Sequence, residues 1–211
     1  MQTFDLKKQL QSLYTPSAKA PEIVDVPPLS CLMIDGEGDP NVAQVFKDSV
    51  SALYSAAFTL RFAFKRRGID YPVMRLEGLW WIEKMADFLS APKESWLWTM
   101  LIVQPDVVTE ADFAQALADV KRKKPLPALD RLRLETFSEG LAAQIMHIGP
   151  YGAEAPTIER LHRFIAEQGY ELTGKHHEIY VSDPSRTAPE KLKTIIRQPI
   201  SREHETVDNQ P

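Results

Sequence analysis

His176, Glu178 and Tyr180 stand two residues apart in the stretch His176-His177-Glu178-Ile179-Tyr180-Val181-Ser182-Asp183-Pro184. β-Branched and aromatic residues in its middle and an Asp-Pro turn signal at its end predict a strand. Alternation then puts His176, Glu178, Tyr180 and Ser182 on one face and His177, Ile179 and Val181 on the other. The second face is mostly apolar and suits a core. On the first, a carboxylate and a phenol reach the same space. In a closed pocket Glu178 is costly to bury unless it is paired or used. An apolar surrounding raises the proton affinity of a carboxylate and fits it for general-base work. Tyr180, or Tyr151 on the Gly149-Pro150 turn, can donate to an oxygen that gains charge during reaction. The competing reading is an exposed strand face whose polar residues carry no function.

Other chemistries fit less well. Adjacent histidines in a strand point apart, so only one of His176 and His177 can join Glu178. A further ligand such as His147 has to arrive from another strand, and no metal site is predicted. The sequence holds no nucleophile elbow, phosphate loop or dinucleotide fingerprint, so no cofactor is expected. Four Trp, six Tyr and nine Phe supply material for an aromatic box. Trp80 and Trp81 point to opposite faces of their strand, and only one of them is expected in a ligand cleft. Glu77 shares a face with Trp81. On the next strand Trp96, Trp98, Met100 and Ile102 share a face. Such rings stack on flat ligands and attract cations, or they form the core between sheet and helix.

At 211 residues the chain can bury a full core, as one large domain or two fused units. A net charge of −4 argues against a general nucleic-acid partner. The basic run Lys121-Arg122-Lys123-Lys124 closes a predicted helix, where cations meet the negative end of the dipole. A single cysteine, Cys31, excludes a disulfide framework. No window approaches a membrane span and the N-terminus has no apolar signal core, so a cytoplasmic protein is expected.

The elements that must position these residues follow from punctuation and period. Asp5 caps a predicted helix over 6–14, and 15–21 reads as linker. Residues 29–35 form an apolar run that suits a buried strand. Asp39 and Pro40 predict a helix start, and Phe46, Val50, Leu53, Ala57, Leu60 and Phe64 draw one apolar stripe as far as Gly68. Strands are predicted over 71–84 and 96–104, with a loop or short helix over 85–94 between them. Thr109 and Asp112 resemble a capping box opening a helix to about Lys121. Further strands are predicted over 132–138, 141–148, 170–181 and 194–200. A helix from Pro156 carries Ile158, Leu161 and Ile165 on one face, and 189–192 suits one helical turn.

The second half repeats the first. Leu32 to Pro40 resembles Met146 to Pro156: an apolar strand, a Gly-rich turn, an acid, and a Pro opening a helix. Each helix ends at a glycine, Gly68 or Gly169, with Tyr71 or Tyr170 soon after, and each half then gives a strand with an internal glutamate, Glu77 or Glu178. A strand–helix–strand–strand unit used twice predicts an α+β fold with an antiparallel sheet, a pseudo-twofold axis and a central ligand cleft. One domain over 1–200 is expected, with repeats at about 29–104 and 132–200, followed by a loose tail at 201–211.

Several stretches together resemble the GyrI-like small-molecule-binding domain family over nearly the full length. They are Met33 to Pro40, Leu76 to Trp81, Trp98-Thr99, His147 to Tyr151, His176 to Tyr180 and Lys191 to Arg197. The resemblance is to its stand-alone branch, without DNA-binding helices. It implies two strand–helix–strand–strand modules around a ligand cleft, with Glu178 as the polar centre. It also implies one of two activities. Some relatives hydrolyse the strained cyclopropane of cyclopropanoid DNA alkylators, and many sense hydrophobic or cationic aromatic compounds without turning them over. For the first activity Glu178, Tyr180 and Tyr151 are the expected catalytic residues. Tyr71, Glu77, Trp80 or Trp81, Trp98 and Met100 are expected to bind substrate, together with His147 and His176. A third reading, suggested by the family name, is an interaction module acting on a topoisomerase.

Overall fold

Leu53, Ala57, Leu60 and Phe64 are buried along one face of the longest helix, while Phe46 and Val50 of the same stripe are half-buried. The structure is a computed structural model that describes residues 2–88 and 90–202. In chain order its elements are β1 (Gln2–Thr3), α1 (Leu6–Gln9), α2 (Gln11–Tyr14), β2 (Glu22–Val26), β3 (Leu29–Glu37), α3 (Gln44–Arg66), β4 (Ile69–Asp70), β5 (Glu77–Trp81) and β6 (Leu97–Val103). There follow α4 (Glu110–Lys123), β7 (Arg133–Phe137), β8 (Gly140–Ile148), α5 (Ala155–Glu167), β9 (Glu171–Leu172), β10 (His176–Tyr180) and β11 (Lys193–Ser201). Single 3₁₀ turns lie at Met85–Asp87, Lys93–Ser95 and Pro189–Lys191. Of the 201–211 tail, only 201 and 202 lie within the described residues.

The fold is α+β, and its described residues divide into two compact units, 2–11 with 28–137 and 12–27 with 138–202. In the first unit the sheet runs β5-β6-β3-β7, antiparallel at each step. Gly78 pairs with Met100 and Met100 with Ile34, so these three share a face. Trp80, Trp98 and Gly36 follow two residues along on the same face. That face is the one covered by α3. The ring of Phe46 stacks on Trp80 at 6.1 Å and meets Trp98 edge-on at 5.2 Å.

The second unit has the order β2-β8-β11-β10, again antiparallel, with β9 also paired to β11. Ala143, Ile145 and Ile196 pack against Ile158, Leu161 and Ile165 of α5. The opposite face carries Met146, Ile179 and Ile195, packed with Tyr14, Ala18 and Val181.

The duplicated order is present, with differences that have local causes. The residues expected to begin the second repeat form β7, which pairs with β3 in the first unit. Correspondingly β2, which the sequence reading missed, pairs with β8 in the second. The first helix starts at Gln44 rather than Pro40, because Asp39 accepts from its own neighbour Asn41 at both N and Nδ2 (2.9 and 2.7 Å) and closes a turn instead. The expected 71–84 strand is confined to β5, and Pro72 has no N–H to give to a ladder at its start. The expected 170–181 strand breaks into β9 and β10 around Gly174, which sits at φ +60°. The expected 6–14 helix breaks at Leu10 into α1 and α2. The Thr109–Asp112 capping box forms in full, each side chain bonded to the other's backbone N–H.

Candidate functional site

Glu178 lies directly opposite Ile196, and Ile196 opposite Ile145. The face that carries His176, Glu178 and Tyr180 is therefore the α5 face of the second unit; His177 and Ile179 on the other face are fully buried, and Glu178 is partly so. The three side chains do meet. The Tyr180 hydroxyl donates to Glu178 Oε2 at 2.8 Å, and His176 Nε2 stands 3.3 Å from Glu178 Oε1. A carboxylate only accepts, so His176 presents an N–H there. The Glu178 side chain is 13% exposed.

Two further groups come from the turn that starts α5. Tyr151 meets the Tyr180 ring edge-on at 5.7 Å and is 39% exposed. Glu154, buried, lies close enough to act on Glu178. His147 fastens this turn to the sheet: its Nδ1 lies 3.0 Å from Thr157 Oγ1 and its Nε2 3.4 Å from the Pro150 carbonyl. The carbonyl can only accept, so Nε2 carries the hydrogen and the Thr157 hydroxyl donates to Nδ1.

The electrostatics favour an ionised Glu178. Burial pushes its proton affinity up, as the apolar-pocket reading expected, but the His176 hydrogen bond and charge, with the Tyr180 bond and the nearby Glu154, outweigh that, so its carboxyl is held below the ordinary carboxylate range rather than above it. Burial, followed by the charges of Glu154, Glu178 and Asp183, pushes the Tyr151 phenol up. His162, on α5, is pushed down by burial and then by His176. Ionised at neutral pH and set beside two phenols, Glu178 can accept a proton or hold a cation.

The remaining sequence-predicted residues belong to the first unit. Trp80, Trp98 and Met100 are buried on the face under α3, and the Trp98 Nε1–H donates to the Gly38 carbonyl at 3.3 Å. Glu77 and Trp81 lie on the opposite face, with Leu79 between them. Tyr71 is buried, edge-on to Phe64 at 5.7 Å. The two internal glutamates are not equivalents. By register Gly78 occupies in the first sheet the place that Glu178 occupies in the second, and Glu77 corresponds to His177. Among the described residues no group of three His, Cys, Asp or Glu is placed to hold a metal ion, and no helix is long and apolar enough to cross a membrane.

A model of the GyrI-like small molecule binding domain matches residues 19–201. The chain belongs to the GyrI-like small-molecule-binding family. Solved structures from Listeria innocua extend the likeness over almost the whole chain. An uncharacterized conserved protein is 38% identical with a TM-score of 0.87, covering 94% of this chain and 100% of its own. A hydrolase is 37% identical with a TM-score of 0.83 over the same shares. The C-terminal domain of EcmrR, at 11% identity and a TM-score of 0.53 over 86% of this chain and 97% of its own, shares the fold alone. Curated proteins give no match.

The sequence reading missed Glu154 and His162 as neighbours of the GyrI-like site. With Ile158 they form an i, i+4, i+8 row that starts at the residue before α5 and runs along it. The stripe of Ile158, Leu161 and Ile165 fixed which helix face turns inward, and that row was the available signal.

Proposed function

We propose that this chain is a cytoplasmic small-molecule hydrolase of strained, electrophilic aromatic compounds of the cyclopropanoid type, with Glu178 as general base. One observation carries the reading: a mostly buried carboxylate, held ionised by His176 and Tyr180, with the exposed Tyr151 packed on the Tyr180 ring. The 37% identity to a Listeria hydrolase supports the reaction class.

Glu178 takes a proton from water, and the water oxygen bonds to the cyclopropane methylene. The ring C–C bond breaks, and its electron pair passes through the conjugated system to the carbonyl oxygen, which becomes a phenolate and then, with a proton, a phenol. The net change is addition of one water. Tyr180 gives its O–H to Glu178, so Tyr151 is the better placed donor to the developing oxyanion. Ring strain supplies much of the driving force, and modest catalysis suffices for a detoxifying enzyme.

The test is incubation with a cyclopropanoid alkylator and mass analysis. The expected product is one water heavier than the substrate. Recovery of unchanged, bound compound removes the hydrolase reading and leaves the second one, a module that binds cationic aromatic compounds without turnover. The two tyrosines beside an ionised carboxylate favour that alternative.

A further inference from the structure

A helix that packs on a sheet ordinarily turns charged residues outward. α3 packs on β3 and β6 and against α4, yet from Ser49 to Leu60, twelve residues, it carries no charge. On its outer side Tyr54, Phe58 and Phe62 form a ladder of stacked rings, with centroids 6.2 and 6.4 Å apart and interplanar angles of 28° and 27°. Phe58 is 43% exposed and Phe62 51%. Arg61 flanks the ladder, its guanidinium 5.9 Å from the Phe62 ring centre and its Nε–H donating to the Tyr71 carbonyl at 2.8 Å. The outer side also has a period. Gln44, Asp48, Ser51, Ser55, Phe58, Phe62 and Lys65 are all exposed or half-buried, and they alternate steps of four and three. That is the spacing of a seam between two helices. Ser55 Oγ donates to the Ser51 carbonyl at 2.7 Å, so its hydroxyl can be covered without losing a partner.

We propose that this seam docks on the same seam of a second copy of the chain, the two α3 helices running antiparallel about a two-fold axis. With Ser55 of one copy opposite Phe58 of the other, Ser51 falls opposite Phe62 and Asp48 opposite Lys65. Each ring then meets a small side chain, and each acid meets a base. The axis passes between 56 and 57, so every such contact is made twice. A parallel pair instead sets Phe58 on Phe58, Asp48 on Asp48 and Lys65 on Lys65. The seam is thus complementary to itself in one direction only. A lipid surface is a poorer match, because serines fill the middle of the seam and an anionic bilayer repels Asp48. Neither Glu178 nor turnover enters this proposal.

The test is sedimentation velocity of the full chain at low ionic strength, from about 1 to about 300 μM. The expected mass rises from 23.9 kDa to twice that value with concentration. Phe58→Glu should raise the dissociation constant at least about tenfold while the circular dichroism spectrum is kept, because the position is exposed. Asp48→Lys and Lys65→Asp should each weaken the dimer at least about fivefold by setting like charges across the axis. The double variant Asp48→Lys/Lys65→Asp should recover it, which a merely unfolded or loosened helix cannot do. A chain that stays at 23.9 kDa throughout overturns the proposal. So does a dimer untouched by Phe58→Glu, or a double variant no tighter than the single ones. A monomer that uses this face to bind anionic vesicles or a different protein overturns the second copy as its occupant.

Discussion

A side-chain carbon added to Gly36 falls 2.1 Å from Cη2 of Trp98. The indole lies across the glycine, is fully buried, and is held by Phe46 and by its own bond to the Gly38 carbonyl. By register, His147 and Thr194 stand in the second unit where Gly36 and Trp98 stand in the first. One duplicated position is thus packed with an aromatic ring, and the other is polar and lies beside Glu178 and Tyr180. Gly36→Ala forces the ring or the strand to move, and overpacking of this kind costs about 1–3 kcal/mol. The urea midpoint is expected to fall with an unchanged slope. An unaltered midpoint means that the indole has somewhere to go.

Glu139 sets a pH dependence of stability. Burial pushes its carboxyl up, but the charge and bond of His177 at 2.8 Å and of Arg197 at 3.1 Å outweigh this and hold it at about 2, against an ordinary value of 4.5. The folded state therefore binds the proton more weakly than the unfolded one. The stabilisation is complete above about pH 4.5 and is lost as pH falls towards 2. It amounts to a few kcal/mol, on the order of 3. Glu139→Gln removes the dependence and leaves the buried Arg197 short of a counter-charge, at a cost of about 3–5 kcal/mol near neutrality. Denaturation of both proteins over this range should show the gap between them closing on the acid side.

What was legible in the sequence was local. The Leu53–Phe64 stripe, the Thr109–Asp112 box and the shared face of His176, Glu178 and Tyr180 each depend on residues within a turn or a strand of one another. The Glu139–His177–Arg197 cluster was not legible, because the three residues meet only through pairing of strands far apart in sequence. Gln144 joins it by accepting from Arg197 and donating to the Ser12 carbonyl and to Glu22, which ties the 12–22 segment into the second unit. β2 lay hidden because Pro21 and Pro27-Pro28 shorten it to five residues and read as linker. Glu154 escaped notice because an acid before a helix reads as a cap, whereas its side chain makes no cap bond.

Tyr180→Phe takes one donor from Glu178 while keeping the ring that meets Tyr151. A hydrogen bond to a charged group contributes about 1.5–3 kcal/mol, so the proton affinity of Glu178 should rise by about one to two pH units. In a turnover assay the acid limb of the pH profile moves up by that amount. In the ligand-free protein the Glu178 carboxyl NMR signal shows the same displacement. A profile and a signal that stay in place mean that the phenol does not hold the charge.

Glu178→Gln keeps the size of the side chain and removes its charge and basic oxygen. The site places donors from Tyr180 and His176 around the carboxylate, and an amide has one end that only donates. At least one of those donors then faces an N–H₂ group and loses its acceptor. Removing a buried charge ordinarily helps stability, but here a buried donor left without a partner costs about 1–3 kcal/mol. The melting temperature is expected to fall modestly while the circular dichroism spectrum is kept. If Glu178 is the base, turnover of a cyclopropanoid falls by about 10²–10⁴, and binding of a neutral aromatic compound changes little because stacking is untouched. If the chain only binds, affinity for an aromatic cation drops by a few kcal/mol while neutral compounds bind as before. Paired titrations with one neutral and one cationic ligand separate these outcomes. A variant that keeps both turnover and cation affinity removes Glu178 from the centre of the site.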